Sequence, residues 1–198
     1  YRQDSSFLYF FGINRPGFYG ICDPEKETDT LYGNDFTVDD IIWTGEQPKV
    51  SDLAGSVGAE RTGNLGQLAK ELREYRRSGR RIHILPTYRG DQVLTLGSLL
   101  EVGCREVDQF VSEELIEAVV KLRSVKDEGE IAEIEKAVDV AAIMHTTAMK
   151  MAFPGNFERE LSGAIEGISL SHGGPVSFPI ILSMDGQTLH NHYHGNEL

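Results

Sequence analysis

Basic charge is what this chain lacks. Against 31 Asp and Glu stand 19 Lys and Arg, a formal net charge of −12 over 198 residues. A general nucleic-acid binder needs a basic face for the phosphates, so that class is excluded. Cysteine is nearly absent. Cys22 and Cys104 are the whole supply, which is no disulfide framework and points to a reducing, cytoplasmic setting. The densest apolar run, FLYFFGI from Phe7 to Ile13, is far too short to span a bilayer. No charged segment, apolar run and small-residue cleavage site follow one another as in a secretory leader. Several chemical signatures are missing as well. No Gly-rich loop follows a strand and opens a helix to cradle phosphate. No Ser–His–acid arrangement, Cys nucleophile or carboxylate cluster stands beside the histidines.

What remains is ordinary for a soluble protein, 40% hydrophobic and 25% charged, with room for one large domain or two small ones. The first half reads as α/β. FLYFFGI, FYGIC and TDTLYG are short aromatic and β-branched runs parted by turn residues, and they predict a meander of strands. Asp23–Asp40 holds seven acids against Lys26 and reads as a solvated hairpin tip and loop. Asn64–Ser78 sets Leu65, Leu68, Leu72 and Tyr75 on one helical face, with Asn64 as N-cap and Gly79 as C-cap. The arginines 73, 76, 77, 80 and 81 form a solvated basic face at that helix's C-terminus or an anion site. RIHIL then predicts a buried strand, Asp91–Val102 a helix and Glu106–Phe110 a short strand. The alternation predicts a sheet covered by helices.

The second half changes character. Ser112–Leu122 is a predicted helix, and the polar Arg123–Gly129 segment marks a domain boundary, giving domains 1–120 and 121–198. Asp127–Ala152 predicts one long amphipathic helix with Ile131, Ile134, Val138, Ala141, His145 and Met149 on one stripe. Phe153-Pro-Gly breaks it. Asn156 is placed to cap a second helix, Phe157–Leu170. Val176–Ser183 and Thr188–His194 predict two strands joined by an Asp185-Gly186 hairpin turn.

His190, His192 and His194 alternate along the last strand and would share a face. Three readings follow from the spacing. The imidazoles bind a transition metal; one of them serves as proton shuttle or oxyanion partner beside a metal held elsewhere; or they decorate an exposed edge strand.

Several segments together resemble the Xaa-Pro aminopeptidases (aminopeptidase P) and the prolidases. LRSVKDEGEIAEIEKAVDVAAIMHTTAM resembles their linker and first long helix. FPGNFERELSGAIEG resembles the Pro-Gly break and second helix. SFPIILSMDGQTLHNHY resembles the strand pair leading to their active-site histidine, and RQDSSFLYFFGI with DDIIWTG their amino-terminal domain. The resemblance runs along nearly the whole chain in order. It implies a mixed-sheet α/β domain of the creatinase/prolidase amino-terminal type, followed by the first part of a pita-bread α+β domain. It implies hydrolysis of the bond between an N-terminal residue and a following proline, in a homo-oligomer, with two divalent cations, manganese, in the full-length parent. Two such cations acidify a bridging water and clamp the tetrahedral intermediate.

On this resemblance the active-site histidine is His192, which favours the second reading. Trp43 corresponds to a tryptophan lent to a neighbouring subunit's pocket. Phe178 stands where many relatives have a pocket tyrosine, and so lacks its hydroxyl. The family's metal ligands correspond to no residue of this chain. The expectation is an internal piece of a longer enzyme that by itself binds no metal and has no activity. A prolidase-type dipeptidase and a non-catalytic peptide- or histone-binding relative are the alternatives.

Overall fold

The computed structural model describes residues 3–184 and 192–197, which divide into two compact units, Tyr1–Arg123 and Ser124–Leu198. The first unit is built on the short strands β1 (Tyr19–Asp23), β2 (Thr28–Tyr32) and β3 (Arg61–Gly63). β2 is central, antiparallel to β1 and parallel to β3. It is therefore a small mixed sheet, and the α/β class expected from the sequence holds.

Period-two alternation explains the packing around β2. Leu31 points into one cluster, with Phe11, Ile13, Phe18, Val50 and Ala54. Its neighbour Tyr32 points into the other, with Leu68, Leu72 and Leu100. The first cluster is supplied by α1 (Ser5–Phe11) and α3 (Val50–Val57). The second is supplied by α4 (Leu65–Arg77) and α5 (Gly90–Leu100). α2 (Val38–Thr44) buries none of its residues. The unit continues through a 3₁₀ turn, Cys104–Phe110, and closes with α6 (Glu113–Ser124).

α4 forms as the sequence predicts. Asn64 accepts from the Gln67 N–H at 2.9 Å while Gln67 accepts from the Asn64 N–H at 2.7 Å, a reciprocal cap. Gly79 takes φ +75° just past the end.

In the first unit three predicted strands are not strands. FLYFFGI is mostly α1, because Asp4 caps it by accepting from the Ser6 and Phe7 N–H groups, and Gly12 ends it at φ 64°. Phe7 and Phe11, one turn apart, stack with centroids 5.1 Å apart. The Phe11 ring fills the space a side chain at Gly20 would need, which draws α1 against β1. RIHIL is neither buried nor a strand. Its ladder is a single bridge between Ile84 and Val111. Glu106–Phe110 lies in the 3₁₀ turn, where the Glu106 carboxylate accepts from the Gly103 N–H at 2.8 Å.

The acidic loop is not wholly solvated. Asp23 is buried and takes both Arg80 guanidinium nitrogens, at 2.6 and 2.7 Å. That bidentate bond, aided by Lys26, holds the Asp23 carboxyl well below the usual carboxylate range. Three arginines of the basic cluster are likewise spent on structure: Arg80 also pairs with Glu25, Arg73 with Glu101, and Arg76 donates to the Leu100 carbonyl.

In the second unit α7 (Glu128–Met151) packs on α8 (Glu158–Ser171). α7 starts with Asp127 accepting from the Glu130 N–H at 2.8 Å. None of its residues is fully buried. The predicted stripe of Ile131, Ile134, Val138 and Met149 is exposed. Half-buried instead are Val140, Ala141, Met144, Thr147, Ala148 and Met151, also at helical spacing, and of the predicted stripe Ala141 alone is among them. α8 buries Leu161 and Ile165. Asn156 does not cap α8; its side chain donates to the Met151 carbonyl at 2.8 Å and finishes α7, leaving Phe157 at the N-cap of α8. Val176–Ser183 carries no assigned strand. The Asp185-Gly186 turn, His190 and Asn191 fall outside the described residues. Among the described residues no helix is long and apolar enough to cross a membrane.

Candidate functional site

The first turn of α8 organises the candidate site. Phe157 opens the helix, and its N–H donates to the Glu160 carboxylate at 2.9 Å. The helix dipole favours an anion there. Glu158, the next residue, has 0% of its surface exposed. One carboxylate oxygen accepts from the Met184 N–H at 2.5 Å, the other from the Asn196 side-chain amide at 3.2 Å. The Glu158 N–H donates to the Asn196 carbonyl at 2.9 Å, and the Arg159 N–H to the His194 carbonyl at 3.0 Å. Two segments distant in sequence, 176–184 and 192–197, are thus tied to one helix end.

A third tie joins the segments directly. His194 Nε2 lies 3.0 Å from the Ile180 carbonyl. A carbonyl only accepts, so the ring carries its proton on Nε2. Between these segments and α8 lies a cleft of about 400 Å³ whose walls include Ser162, Glu166, Phe178, Ile180, His192 and His194. His192 is exposed on it, and among the described residues its imidazole meets no hydrogen-bond partner. The ring is therefore open to donate to, or accept from, a group entering the cleft.

Two of the three site residues expected from the sequence, His192 and Phe178, line this cleft. Trp43 belongs to the other unit, on α2, 87% exposed. The sequence reading missed Glu158, Ser162 and Glu166. Their signal was present, since a polar stripe at i, i+4 and i+8 runs beside the apolar Leu161 and Ile165. Among the described residues no three His, Cys, Asp or Glu side chains converge to hold a metal ion. A larger cleft of about 650 Å³ in the first unit includes Arg76, Arg80, Arg81 and His83. Arg80 is neutralised by the buried Asp23, and Glu113 and Glu114 offset Arg76 and Arg81 in the same cleft, so it gathers no net positive charge for an anion. Glu114 is kept charged there, its carboxyl lowered by its own backbone N–H and by the Ser112 hydroxyl.

Residues 1–84 match the family described as "Aminopeptidase P, N-terminal domain". The whole chain is 27% identical, over 210 aligned positions, to a probable Xaa-Pro aminopeptidase of Talaromyces stipitatus, of which it covers 39%. The chain is thus similar along its length to the Xaa-Pro aminopeptidases. A probable Xaa-Pro aminopeptidase of Aspergillus fumigatus is 28% identical over 193 positions, spanning 96% of this chain and 40% of that one. Escherichia coli aminopeptidase P superposes with a TM-score of 0.65 at 25% identity, over 87% of this chain and 41% of that one. Proline aminopeptidase P II of Yersinia pestis shares the fold over the whole chain, with a TM-score of 0.76 at 22% identity, and the match covers 48% of its own length. This chain therefore spans about two fifths of the curated aminopeptidases it resembles.

Proposed function

We propose that the protein carrying this chain is a metal-dependent Xaa-Pro aminopeptidase, hydrolysing the bond between an N-terminal residue and a following proline. The observation that carries the reading is the cleft beside α8, where His192 and Phe178 meet in a chain similar along its length to Xaa-Pro aminopeptidases. Residues 1–120 are read as the amino-terminal domain and 121–198 as the first part of a pita-bread catalytic domain. His192 donates a hydrogen bond to the scissile carbonyl as negative charge develops on it. Phe178 supplies an apolar wall to the peptide. Trp43, exposed on α2, extends the pocket of a neighbouring subunit in a homo-oligomer. When bound, two divalent cations, manganese in this reading, supply an acidified water. Their ligands lie outside these 198 residues. One of the superposing Escherichia coli structures is a zinc-substituted form in complex with product, which supports metal dependence. The free thiols of Cys22 and Cys104 support a cytoplasmic setting.

An imidazole that binds the developing oxyanion acts mainly in the transition state, so its loss lowers kcat more than it raises KM. His192→Ala in the full-length protein is expected to lose about 10²–10³-fold in kcat on Xaa-Pro peptides and to keep its metal content. Steady-state kinetics and metal analysis on one preparation test this. Near-normal turnover, or metal lost with the imidazole, overturns the assignment. Turnover restricted to dipeptides would mark a prolidase instead.

A further inference from the structure

The cleft owes its shape to a carboxylate that makes no part of its lining. Glu158 is fully buried, and both its oxygens are occupied by groups from the two opposite walls. Met184 ends the wall that carries Phe178 and Ile180. Asn196 ends the wall that carries His192 and His194. These partners are 26 and 38 residues from Glu158 in sequence, so the contacts are tertiary ones that the helix itself does not dictate. We infer that Glu158 is a positioning residue, a buried clamp that sets the separation of the cleft walls and thereby the placement of His192. The inference rests on the proposed role of His192 only where turnover is the readout.

The physical argument is one of donors and acceptors. A buried carboxylate is tolerated when hydrogen-bond donors surround it. In this cleft a backbone N–H and a side-chain amide do so, and each is drawn from a different wall. The Asn196 backbone carbonyl, accepting from the Glu158 N–H, and the His194 carbonyl, accepting from Arg159, fix the second wall two residues from His192. His194 then holds the first wall through Ile180. Reversing one partner's polarity should therefore open the cleft, and reversing both should close it again.

Asn196→Asp sets a second carboxylate against Glu158. Glu158→Gln in that background puts an amide donor back between them, while its carbonyl oxygen still accepts from Met184. In the full-length protein, labelled with ¹⁵N-histidine, Asn196→Asp is expected to displace the hydrogen-bonded Nε2–H signal of His194. It should also lower kcat on an Xaa-Pro peptide by about 10–10²-fold with a smaller change in KM. The double variant should recover the His194 signal and bring kcat to within about threefold of wild type. Glu158→Gln alone, the mildest variant, should displace the same signal by less. The inference is overturned if Asn196→Asp leaves the His194 signal in place, or if the double variant is no better than the single. A wild-type protein inactive on Xaa-Pro peptides would overturn the proposed reaction. The imidazole signals would still decide the clamp.

Discussion

Leu31 and Ile134 are aliphatic residues on regular elements, yet Leu31 is 0% exposed and Ile134 is 48% exposed. The contrast runs through the two units. In the first, β2 sends consecutive side chains into two clusters, so every helix that touches the sheet has an apolar face to cover. In the second, one helix pair carries the packing, and its buried members are Leu161, Ile165, Glu158 and Ser162 on α8. Two of those four are polar. The first unit is held by apolar burial together with the buried Asp23–Arg80 ion pair. The second relies more on hydrogen bonds that tie distant segments to a helix end. The candidate site sits in the second, where a few polar contacts set the geometry.

The largest expected effect exploits this contrast. Leu31→Ala should destabilise the first unit by roughly 2–5 kcal/mol, since it empties a site enclosed on all sides. Leu161→Ala should fall at the low end of the same range of about 2–5 kcal/mol, because a one-sided core collapses more readily around a deletion. Hydrogen exchange at the amides of β2 and of α8, measured separately, checks both. Equal losses in the two units would break the comparison.

A smaller effect concerns the buried ion pair. Asp23 is held below its unfolded value of about 3.9 by Arg80, so its contribution to stability is complete above that pH and is lost as pH falls through the folded value. The first unit should therefore weaken progressively with acidification below about pH 4. Asp23→Asn should be less stable at neutral pH and flatter in that acid window. Denaturant titrations at a series of pH values test this. An unchanged acid slope in Asp23→Asn would show that other carboxylates dominate.

How much of this could be read from the sequence depended on how local the cause was. α4 was legible because Asn64, Gln67, Leu68, Leu72 and Gly79 all act within one helix. FLYFFGI was misread because its residues favour strands, while Asp4 and Gly12, at its margins, decide for helix. RIHIL has the composition of a strand but, among the described residues, pairs only through the Ile84–Val111 bridge. His192 and Phe178 were singled out through family resemblance, and both line the cleft beside α8. Glu158 was not: its place on a polar stripe of α8 was legible, but its burial comes from Met184 and Asn196, which are distant in sequence.

The smallest expected effect is on α7. Its apolar period led the sequence reading to turn Ile131, Ile134 and Val138 inward, but the packing on α8 leaves those three 45%, 48% and 59% exposed. An aliphatic side chain already in water has little transfer free energy left to lose. Ala also has the higher helix propensity, which offsets part of what is lost. Ile134→Ala in this chain is therefore expected to change stability by no more than about 0.5 kcal/mol in either direction. Ala148→Leu, made on the half-buried stripe, should instead disturb α8 and cost roughly 1–3 kcal/mol through overpacking. Exchange at the α8 amides reads both variants. If Ile134→Ala proved the costlier of the two, the helix would be facing the other way round, with its apolar stripe buried after all.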